Sequence, residues 1–543
     1  MTTQARQASA AAHAARLPNL VRAMLQPGFY PDQPATVDLR QTHISIVFLA
    51  GDFVYKIKKP VRFAFLDASK LERRFEFCRD EVRLNSRLAR GIYLGVVPIF
   101  RRANSYALGP VCEAPVEEAV EYAVKMRRLD DVAMLDRRLN AGTVTASTIR
   151  AIAKRLAEFH ASCSRDKSWQ YGSAAAVWRT IIGNLEESES FASAGIDRAL
   201  FEKVENFCRR SIRVLWETIN ERARTGRAPE GHGDLRCEHV CLEEGRIEVI
   251  DCVEFSEALR YGDVALDVAF LAMDLERLGV QELAREFVRA YIAVSGDEEL
   301  ATVMPLYKCH RALVRAKVAA LKSEEPEIEG AERERARRAM HEYFALAAGY
   351  ADQAAPALVV VCGRSGTGKS TIARALRERT GFAVINSDRV RKKIAGLAPD
   401  VHARAAYGEG IYSARSTHAT YETMLHEAES ALTAGRGAIL DATYRDRAER
   451  RSVLELARRS GTILLLVECR ADKDEVLRRL SERESRKSEV SDATAEIYLQ
   501  QESEFMPLSE IPERNLLVAD STRGPDTIAD QILSRLAELR AAG

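Results

Sequence analysis

Long apolar stretches are missing from this sequence. No run of about 18 uncharged apolar residues, the length that a membrane-spanning helix needs, occurs anywhere in it. Hydrophobic residues make up 46% and charged residues 29% of the chain. This composition excludes a membrane protein and also a disordered or collagen-like one. The length of 543 residues predicts several domains of about 150 residues each.

An excess of either charge is also missing. Lys and Arg together number 80, Asp and Glu 79, and the net charge is +1. Proteins that coat nucleic acid or anionic membranes need a basic surface. The balance therefore argues against bulk binding to either, and a charged substrate must be bound by a local cluster of residues.

The ten cysteines include no CxxC pair, which argues against a zinc site or a disulfide framework. Cys252, Cys362 and Cys469 lie in apolar, strand-like runs, as reduced thiols of a cytosolic protein do. The N-terminus lacks the apolar core of a secretory signal. Its Arg-bearing, acid-poor composition leaves a transit peptide conceivable, but we expect residues 1–17 to form a short disordered extension.

After this extension, the chain has two regions with different patterns of apolar and polar residues. Residues 18–352 begin strand-rich, with a hairpin signal at 50–52, and become mostly helical from about residue 134. A loop-and-strand island at 231–255 interrupts the helical part. After a break at 352–356, strands alternate with helices, which predicts a parallel α/β sheet covered on both faces. We therefore place a domain boundary near Gln353 and a second domain at 353–543.

A phosphate-binding loop opens this second domain. Residues 363–370 read GRSGTGKS, which fits GxxxxGK(S/T) between a buried strand and a helix. Glycines let backbone N–H groups turn inward around phosphates, and the helix N-terminus adds donors. Lys369 should reach the β/γ-phosphates of ATP, and the Ser370 hydroxyl should bind Mg²⁺. The predicted nucleotide cradle comprises Gly363, Ser365, Gly366, Thr367, Gly368, Lys369, Ser370 and Thr371.

Two acids follow strands of the same domain. Asp388 comes after an apolar run, where an open α/β sheet binds its ligands, and can accept the proton of an attacking hydroxyl. Arg391 lies on the same helix face and would hold a substrate phosphate or the transferring group. The alternative is a helix cap at Asp388 and a solvated Arg391. Asp441 ends the run GAILD and suits a Mg²⁺-water position or, alternatively, a strand-end turn.

Arginines recur further along the domain, at Arg478, Arg479, Arg483 and Arg486. Arg479, Arg483 and Arg486 share one helix face, and a mobile lid would bring such residues onto the transferring phosphate. A solvated, salt-bridged helix is the alternative for each of them.

The segments GRSGTGKST, SDRVR and ILDATY resemble P-loop kinases of the group that includes polynucleotide 5′-hydroxyl kinases and zeta-toxin-type kinases. The resemblance covers residues 357–520. It implies that Lys369 and Ser370 serve nucleotide and Mg²⁺, that Asp388 is the base, and that Arg391 contacts the substrate. Arg483 takes the lid position.

A second constellation lies in the island. His232-Gly233-Asp234-Leu235 is followed by His239, and Asp251 ends an apolar strand. The pattern resembles the catalytic loop of aminoglycoside phosphotransferases and related kinase-like enzymes, and the resemblance covers about residues 18–350. It implies an α+β protein-kinase-like fold with a small β-rich lobe and a large helical lobe. Asp234 would then accept the substrate proton, and Asp251 would chelate Mg²⁺.

The same resemblance implies an ATP-binding pair on the β-rich lobe. Lys56 matches the lysine that contacts the α/β-phosphates, and Glu81 matches its helical partner. Lys58 is the alternative lysine, because it lies on the same strand face. Residues 121–126 fit the hinge between the lobes.

Two departures from the family pattern concern metal and phosphate binding. His239 stands at the second metal position, where the family has Asn, and imidazole is a poor Mg²⁺ ligand. No GxGxxG loop is present; residues 42–45 occupy that place.

The sequence thus predicts an ATP- and Mg²⁺-dependent phosphotransferase that acts on a hydroxyl. The acceptor is either a small molecule or a polynucleotide 5′ end, since fold analogy cannot select one. The alternative is an inactive N-terminal ligand-binding module coupled to a P-loop ATPase switch.

Overall fold

A computed structural model of the chain describes residues 19–42, 44–63, 66–103, 105–192, 195–243, 245–325, 328, 330–398, 410–484 and 495–542. The side chains of 63, 190–192, 483–484, 502–503 and 541–542 are not included. The predicted extension, residues 1–17, lies outside the described part. The chain divides into two compact units, one of residues 1–173 and 220–297 and the other of residues 174–219 and 298–543.

The first unit carries an antiparallel sheet with the strand order β1-β2-β3-β8-β6-β7. The strands of this unit are β1 (Val37–Gln41), β2 (Ser45–Ala50), β3 (Phe53–Lys58), β4 (Arg62–Phe63), β5 (Leu66–Asp67), β6 (Tyr93–Arg102), β7 (Ser105–Leu108), β8 (Ala119–Arg127), β9 (Val240–Glu243) and β10 (Arg246–Val249). The predicted hairpin at 50–52 is confirmed: Gly51 has a φ of 61°, which suits a tight turn between β2 and β3.

Helices make up most of the rest of the first unit. They are α1 (Asn19–Met24), α2 (Leu71–Asn85), α3 (Leu135–Asn140), α4 (Ala146–Ser162), α5 (Ser168–Gly172), α9 (Glu257–Arg260), α10 (Val264–Arg277) and α11 (Gln281–Ser295). α2 packs on β6 and β8, and the hairpin β9–β10 forms the predicted island. This combination of a β-rich part and a helical part confirms the predicted α+β fold.

The second unit carries a five-stranded parallel sheet with the order β12-β13-β11-β14-β15. These strands are β11 (Leu358–Cys362), β12 (Ala383–Asn386), β13 (Ala438–Asp441), β14 (Leu464–Arg470) and β15 (Leu516–Asp520). The helices are α6 (Ala174–Ala192), α7 (Arg198–Val214), α12 (Leu300–Glu324), α13 (Gly330–Gln353), α14 (Lys369–Thr380), α15 (Ser387–Ile394), α16 (Ala414–Thr433), α17 (Arg447–Arg459), α18 (Lys473–Glu484), α19 (Ala495–Glu504) and α20 (Pro525–Ala542). α8 (Trp216–Arg224) contains the point where the chain passes between the units.

The central strand β11 explains why the sheet is covered on both faces. All five of its residues are buried, and they alternate between two apolar clusters. Leu358 and Val360 join residues of α16 and α17, whereas Val359 and Val361 join residues of α14 and α20. A continuous apolar run without polar alternation is what such a two-sided strand requires, so the predicted parallel α/β domain is confirmed.

The domain boundary that the sequence predicts near Gln353 stays a prediction. α12 and α13 precede this boundary, yet they pack on each other, on α6 and α7, and on α14. A Cβ placed on Gly381, which follows α14, would lie only 3.0 Å from the Thr302 carbonyl oxygen of α12. The two segments are therefore in close contact. The predicted division at 352/353 thus coincides with a change in the sequence pattern, whereas α12 and α13 cluster with the parallel sheet.

None of the helices in the described ranges is both long and apolar enough to cross a bilayer.

A fully buried arginine fixes the segment that follows β13. Arg450 donates to the carbonyl oxygens of Tyr444 and Arg445 at 2.8 and 2.7 Å and to that of Pro507 at 3.1 Å. It also pairs with Glu510. Because β13 ends at Asp441, this network holds the chain that leaves the carboxyl edge of the sheet.

We expect Arg450→Met to lower the free energy of unfolding by about 3–5 kcal/mol, because it leaves Glu510 and three carbonyl groups without their donor. Urea denaturation of the full chain followed by circular dichroism measures the change. Arg447→Met is the matched control: this half-exposed arginine approaches Glu510 at 3.5 Å, and its loss should change stability by less than about 1 kcal/mol. Equal effects of the two substitutions would contradict the role of Arg450.

Candidate active sites

The phosphate loop between β11 and α14 has the backbone that its glycines predict. Gly363, Gly366 and Gly368 have φ angles of 132°, 80° and 89°, in the region that side chains disfavour. A Cβ at Gly363 would lie 2.6 Å from the Cys469 carbonyl oxygen. The loop is therefore a cradle that larger residues would fill, and this geometry fits the phosphates of a nucleotide.

Lys369 begins α14 and extends back over this cradle. Its Nζ donates to the Arg364 carbonyl oxygen at 2.8 Å. Burial lowers the pKa of Lys369, and the carboxylates of Asp441 and Asp388 only partly oppose this effect. In the described part of the chain Lys369 makes no ion pair, so its charge is available to an anion in the loop.

Asp441 lies at the carboxyl end of β13, beside this lysine. The side chain is 2% exposed, and burial raises its pKa. Asn386 Nδ2 donates to Asp441 Oδ2 at 2.7 Å, and the nearby Ser370 hydroxyl and Lys369 oppose the rise in the pKa of this carboxyl only in part. The structure thus brings Ser370 and Asp441 together as predicted. A hydroxyl with a buried carboxylate behind it fits hydrated Mg²⁺, with Ser370 as ligand and Asp441 as acceptor from a bound water.

Asp388 in the first turn of α15 and Arg391 in its last turn face each other. Arg391 Nη1 lies 3.3 Å from Asp388 Oδ1, and its guanidinium stacks over the Tyr412 ring at 4.8 Å. The helix cap is Asn386, whose Oδ1 accepts from the Arg389 N–H at 3.1 Å. The cap alternative for Asp388 is therefore wrong, and Arg391 is buried instead of solvated. Both residues follow β12, which pairs with β13 in the sheet, and their roles toward an acceptor stay predictions.

The lid arginines divide into different environments. Arg478 is exposed and pairs with Glu475 and Glu482, as the solvated alternative predicts. Arg479 also pairs with Glu475 at 2.7 Å, but it is less exposed, donates to the Ser521 hydroxyl at 3.0 Å, and has its Nη1 3.3 Å from a Cβ built at Gly368. Arg483 lies in α18, but its side chain is outside the described residues, as is all of Arg486, so their lid roles stay predictions.

Sequence reasoning missed two residues of α19 that touch the phosphate loop. Gln501 is buried, and its Oε1 accepts from the Ser365 N–H at 2.8 Å. Tyr498 lies under the Arg364 guanidinium at 5.2 Å. Because α19 is 125 or more residues beyond the loop in sequence, no local motif could have revealed these contacts.

A carboxyl group with a raised pKa lies on the other side of β13. Burial, followed by the charge of Asp446, raises the pKa of Glu449 to about 7. Arg445, the Asp446 backbone and the Tyr421 hydroxyl oppose this rise only in part, and Oε2 is buried with no hydrogen-bond partner among the described residues. The Tyr421 hydroxyl also lies 3.1 Å from Thr443 Oγ1. This polar group beside the carboxyl edge of the sheet was also missed from the sequence.

In the first unit, β3 and α2 bring the predicted ATP-binding pair together. Lys56 Nζ lies 2.8 Å from Glu81 Oε1 and 2.6 Å from Asp251 Oδ1. Burial opposes the charged form of Lys56, but Asp251 and then Glu81 outweigh it and raise its pKa. Partial burial likewise opposes the Asp251 carboxylate, yet Lys56 and His239 hold its pKa well below the usual value. Asp251 has a φ of 64°, a strained conformation for a non-glycine residue that is typical of functional sites.

Lys58, the alternative lysine, is also part of this cluster. It is 3% exposed and pairs with both Glu81 and Glu254. Burial raises the pKa of Glu254. Lys56 is the lysine that reaches Asp251, so the geometry favours it over Lys58 for contact with a nucleotide phosphate.

In the loop that carries the HGD motif, an arginine contacts Asp234, the predicted base. Arg236 Nε and Nη2 donate to the two carboxylate oxygens of Asp234, each at 3.1 Å. His239 Nδ1 donates to the Asp234 carbonyl oxygen at 2.7 Å, which leaves Nε2 as an acceptor 3.6 Å from Asp251 Oδ2. Burial, followed by the charge of Arg236, lowers the pKa of His239 to about 4. His239 is therefore neutral at physiological pH.

Asp267 of α10 organises the backbone of this loop. Its Oδ2 accepts from the His232 N–H at 2.7 Å, and its Oδ1 accepts from the Gly233 N–H at 2.9 Å. A Cβ at Gly233 would lie 2.7 Å from the Leu259 carbonyl oxygen, and its φ is 86°. Glycine is thus required in the HGD motif, and Asp267 is a positioning residue that the sequence alone did not indicate.

These contacts fit one metal ion better than two. Asp251 is 42% exposed in its side chain and offers an oxygen to Mg²⁺. At the second position, His239 Nε2 accepts from Arg236 Nη2 at 3.1 Å, and an imidazole nitrogen is a poor ligand for Mg²⁺. The predicted metal role of Asp251 fits the geometry, and that of His239 does not fit Mg²⁺.

Comparison with known sequences covers both parts of the chain. A profile of the AAA domain family matches residues 358–508. The chain is 33% identical over 467 residues to the uncharacterized protein Rv2004c of Mycobacterium tuberculosis, covering 86% of this chain and 89% of that protein. The chain belongs to the family of this mycobacterial protein. The uncharacterized protein Mb2027c of Mycobacterium bovis matches with the same identity and coverage.

Solved kinase structures match each part separately. A choline/ethanolamine kinase family protein from Mesorhizobium loti covers 61% of this chain and 100% of its own, at 12% identity and a TM-score of 0.34. A gluconokinase from Sinorhizobium meliloti covers 34% of this chain and 94% of its own, at 18% identity and a TM-score of 0.25. The predicted combination of a kinase-like fold with a P-loop kinase domain is confirmed.

We expect Glu449 to lower stability as the pH rises from about 4.5 to about 7. In this window the folded protein retains a proton that the unfolded chain has released, since the pKa rises from 4.5 to about 7 on folding. The loss is at most about 3 kcal/mol. Urea midpoints across this range should fall less in Glu449→Gln than in the wild type. Glu455→Gln, an exposed residue of the same helix that pairs with Arg458, should leave the profile unchanged. An identical slope in the Glu449 variant would contradict this assignment.

Proposed function

We propose that the protein is an ATP- and Mg²⁺-dependent phosphotransferase whose P-loop domain transfers the γ-phosphoryl group to a hydroxyl. The observation that carries this proposal is the meeting of three groups at one edge of the parallel sheet. Lys369 lies in the cradle, Ser370 and Asp441 lie beside it, and Asp388 with Arg391 follows the neighbouring strand.

The register of the sheet explains why these groups converge. Asn386 pairs with Asp441, and Asp441 also pairs with Val361, just before the phosphate loop. Bound Mg²⁺·ATP supplies the phosphoryl group. Lys369 and the loop N–H groups then bind phosphate oxygens, and Asp388 accepts the proton of the acceptor hydroxyl. Arg391 orients Asp388 and offers donors to the acceptor or the phosphoryl group.

The acceptor is proposed to be a small molecule or a polynucleotide 5′ end. Arg391 and the Tyr412 ring that it covers suit an anionic or planar group next to the reacting hydroxyl. The even overall charge still argues against bulk binding of nucleic acid. We also propose a cytosolic location, which the ten unbridged cysteines support.

A screen with labelled ATP tests this function in the full chain, using 5′-hydroxyl oligonucleotides, aminoglycosides and hydroxylated metabolites as acceptors. We expect Asp388→Asn to lower kcat by roughly 10²–10⁴-fold, the usual contribution of a positioned base, with nucleotide affinity nearly unchanged. Lys369→Ala should lose most ATP binding at this site by calorimetry.

Asp474→Asn, in the first turn of α18, is the control and should behave as the wild type. Full turnover in the Asp388 variant would show that this residue is not the base. Release of ADP without any phosphorylated acceptor would instead favour an ATPase switch.

The second candidate function is a ligand-binding role for the N-terminal site. It is favoured by the engagement of both predicted catalytic carboxylates, Asp234 with Arg236 and Asp251 with Lys56. We nevertheless propose residual kinase competence, because Lys56, Glu81, Asp234 and Asp251 all converge. The N-terminal site would then bind one Mg²⁺ through Asp251.

A test of this site needs the full chain, because residues 298–352 pack with the second unit. In the Lys369→Ala background we expect remaining Mg²⁺·ATP binding, and transfer activity that Asp234→Ala abolishes. His239→Asn should tighten Mg²⁺ binding, since an oxygen ligand replaces an imidazole. His341→Asn, an exposed histidine of α13, is the control. Absence of ATP binding at millimolar Mg²⁺ in the Lys369→Ala protein would establish the inactive-module alternative.

A further inference from the structure

A cavity lies at the amino edge of the parallel sheet, away from the phosphate loop. Its walls come from α7 and α12 and from the segments 380–382 and 435–437, which precede β12 and β13. It has about 400 Å³ of empty space, counting its open mouth. The phosphate loop is at the other end of the same strands and of α14, whose 12 residues span about 18 Å. The cavity is therefore separate from the candidate active site.

Four arginines surround this cavity, which we call the arginine cavity. Arg210 of α7 and Arg436 line it directly. Arg377 of α14 lies close enough to Arg436 to affect its charge, and Arg540 of α20 is likewise close to Arg210. Within the described ranges none of the four forms an ion pair with a carboxylate. The cavity thus has a concentrated positive charge.

The two lining arginines leave most of their donors unused. Arg436 Nε is buried and has no hydrogen-bond partner, and its Nη2 makes one long contact of 3.4 Å with the Gly381 carbonyl oxygen. For Arg210, no hydrogen bond or ion pair forms with any described residue. Its Cδ lies 3.3 Å from a Cβ built at Gly435, another residue of the cavity wall.

The outer arginines are held mainly by neutral oxygens. Arg377 donates to the Glu298 carbonyl oxygen and to Thr302 Oγ1, each at 3.2 Å. Arg540 donates to the carbonyl oxygens of Asp352 and Ala355. The carboxylates of Glu298 and Glu299 act on Arg377 only from a distance, and that of Asp352 pairs with Lys203.

Such an arrangement is unfavourable without an anion. Burial lowers the pKa of all four guanidinium groups, and the carboxylates of Glu298, Glu299 and Asp352 offset this loss of hydration only in part for Arg377, Arg436 and Arg540. A purely structural role does not require four arginines. Packing of the aliphatic stem, or capping of the C-terminus of α14 by Arg436, would need only one of them. A planar guanidinium matches the oxygens of a phosphate in pairs.

We propose that the arginine cavity binds a compact phosphate-bearing anion, either inorganic phosphate or the phosphate group of a phosphorylated metabolite. Arg210 and Arg436 would contact the phosphate oxygens directly, and Arg377 and Arg540 would add positive potential. This site goes beyond the proposed kinase function and does not depend on it.

Calorimetry on the full chain tests the site, with Lys369→Ala as background so that the phosphate loop does not contribute. We expect inorganic phosphate or glycerol 3-phosphate to bind, and Arg210→Gln with Arg436→Gln to weaken that binding at least tenfold. The tighter of the two probes identifies the source of the phosphate group. Arg209→Gln is the matched control, because this neighbour on α7 pairs with Glu205 and stacks on Trp178. Equal affinity in all variants, or no binding at millimolar concentrations, would overturn the proposal.

Thermal unfolding separates binding from a structural role. Without phosphate, the double variant should melt at the same temperature as its parent or higher, because mutually repelling cations are removed. Phosphate should raise the melting temperature of the parent and not that of the variant. A variant that melts lower than the parent and still gains the same increase from phosphate would show that the arginines only support the fold.

Discussion

A charge withdrawn from water must find a counter-charge or a set of hydrogen bonds, and much of this structure follows from that requirement. Arg450 meets it with three carbonyl oxygens and Glu510, and in doing so fixes the chain beyond β13. Asp441 meets it with the side-chain amide of Asn386. The same requirement links the ends of β12 and β13, because Asn386, which donates to Asp441, is also the cap of the helix that carries Asp388.

The two candidate active sites satisfy this requirement in opposite ways. In the P-loop domain, the one hydrogen bond of Lys369 to a described residue goes to a carbonyl oxygen, which leaves its charge for a ligand. In the kinase-like part, Lys56 and Lys58 are fully engaged by Glu81, Asp251 and Glu254. A nucleotide entering the second site has to exchange these ion pairs for phosphate contacts. The first site is therefore preorganised for an anion, whereas the second has a competing internal partner for each cation.

Sequence reasoning succeeded where a residue acts through its neighbours along the chain. The glycines of the phosphate loop require positive φ angles, and Lys369 and Ser370 follow at fixed spacing. The apolar run of β11 predicts a strand buried on both faces, and the hairpin at Gly51 follows from its turn residues. Resemblance to known kinases added Lys56, Glu81, Asp234 and Asp251. It could not show that Arg236 binds Asp234, because side-chain direction in a loop depends on its tertiary surroundings.

By itself, then, the sequence determined the two folds, the nucleotide cradle and the acids at the strand ends, since each depends on local periodicity, glycine geometry or strand order. Only the tertiary structure decided which distant residues meet. Gln501 reaches the Ser365 N–H, Asp267 holds the HGD backbone, and α12 packs beside α14. The arginine cavity joins α7 to segments that lie more than 150 residues further along the chain. Such contacts depend on how helices pack on a sheet, which is a property of summed surfaces and shapes that no short motif encodes.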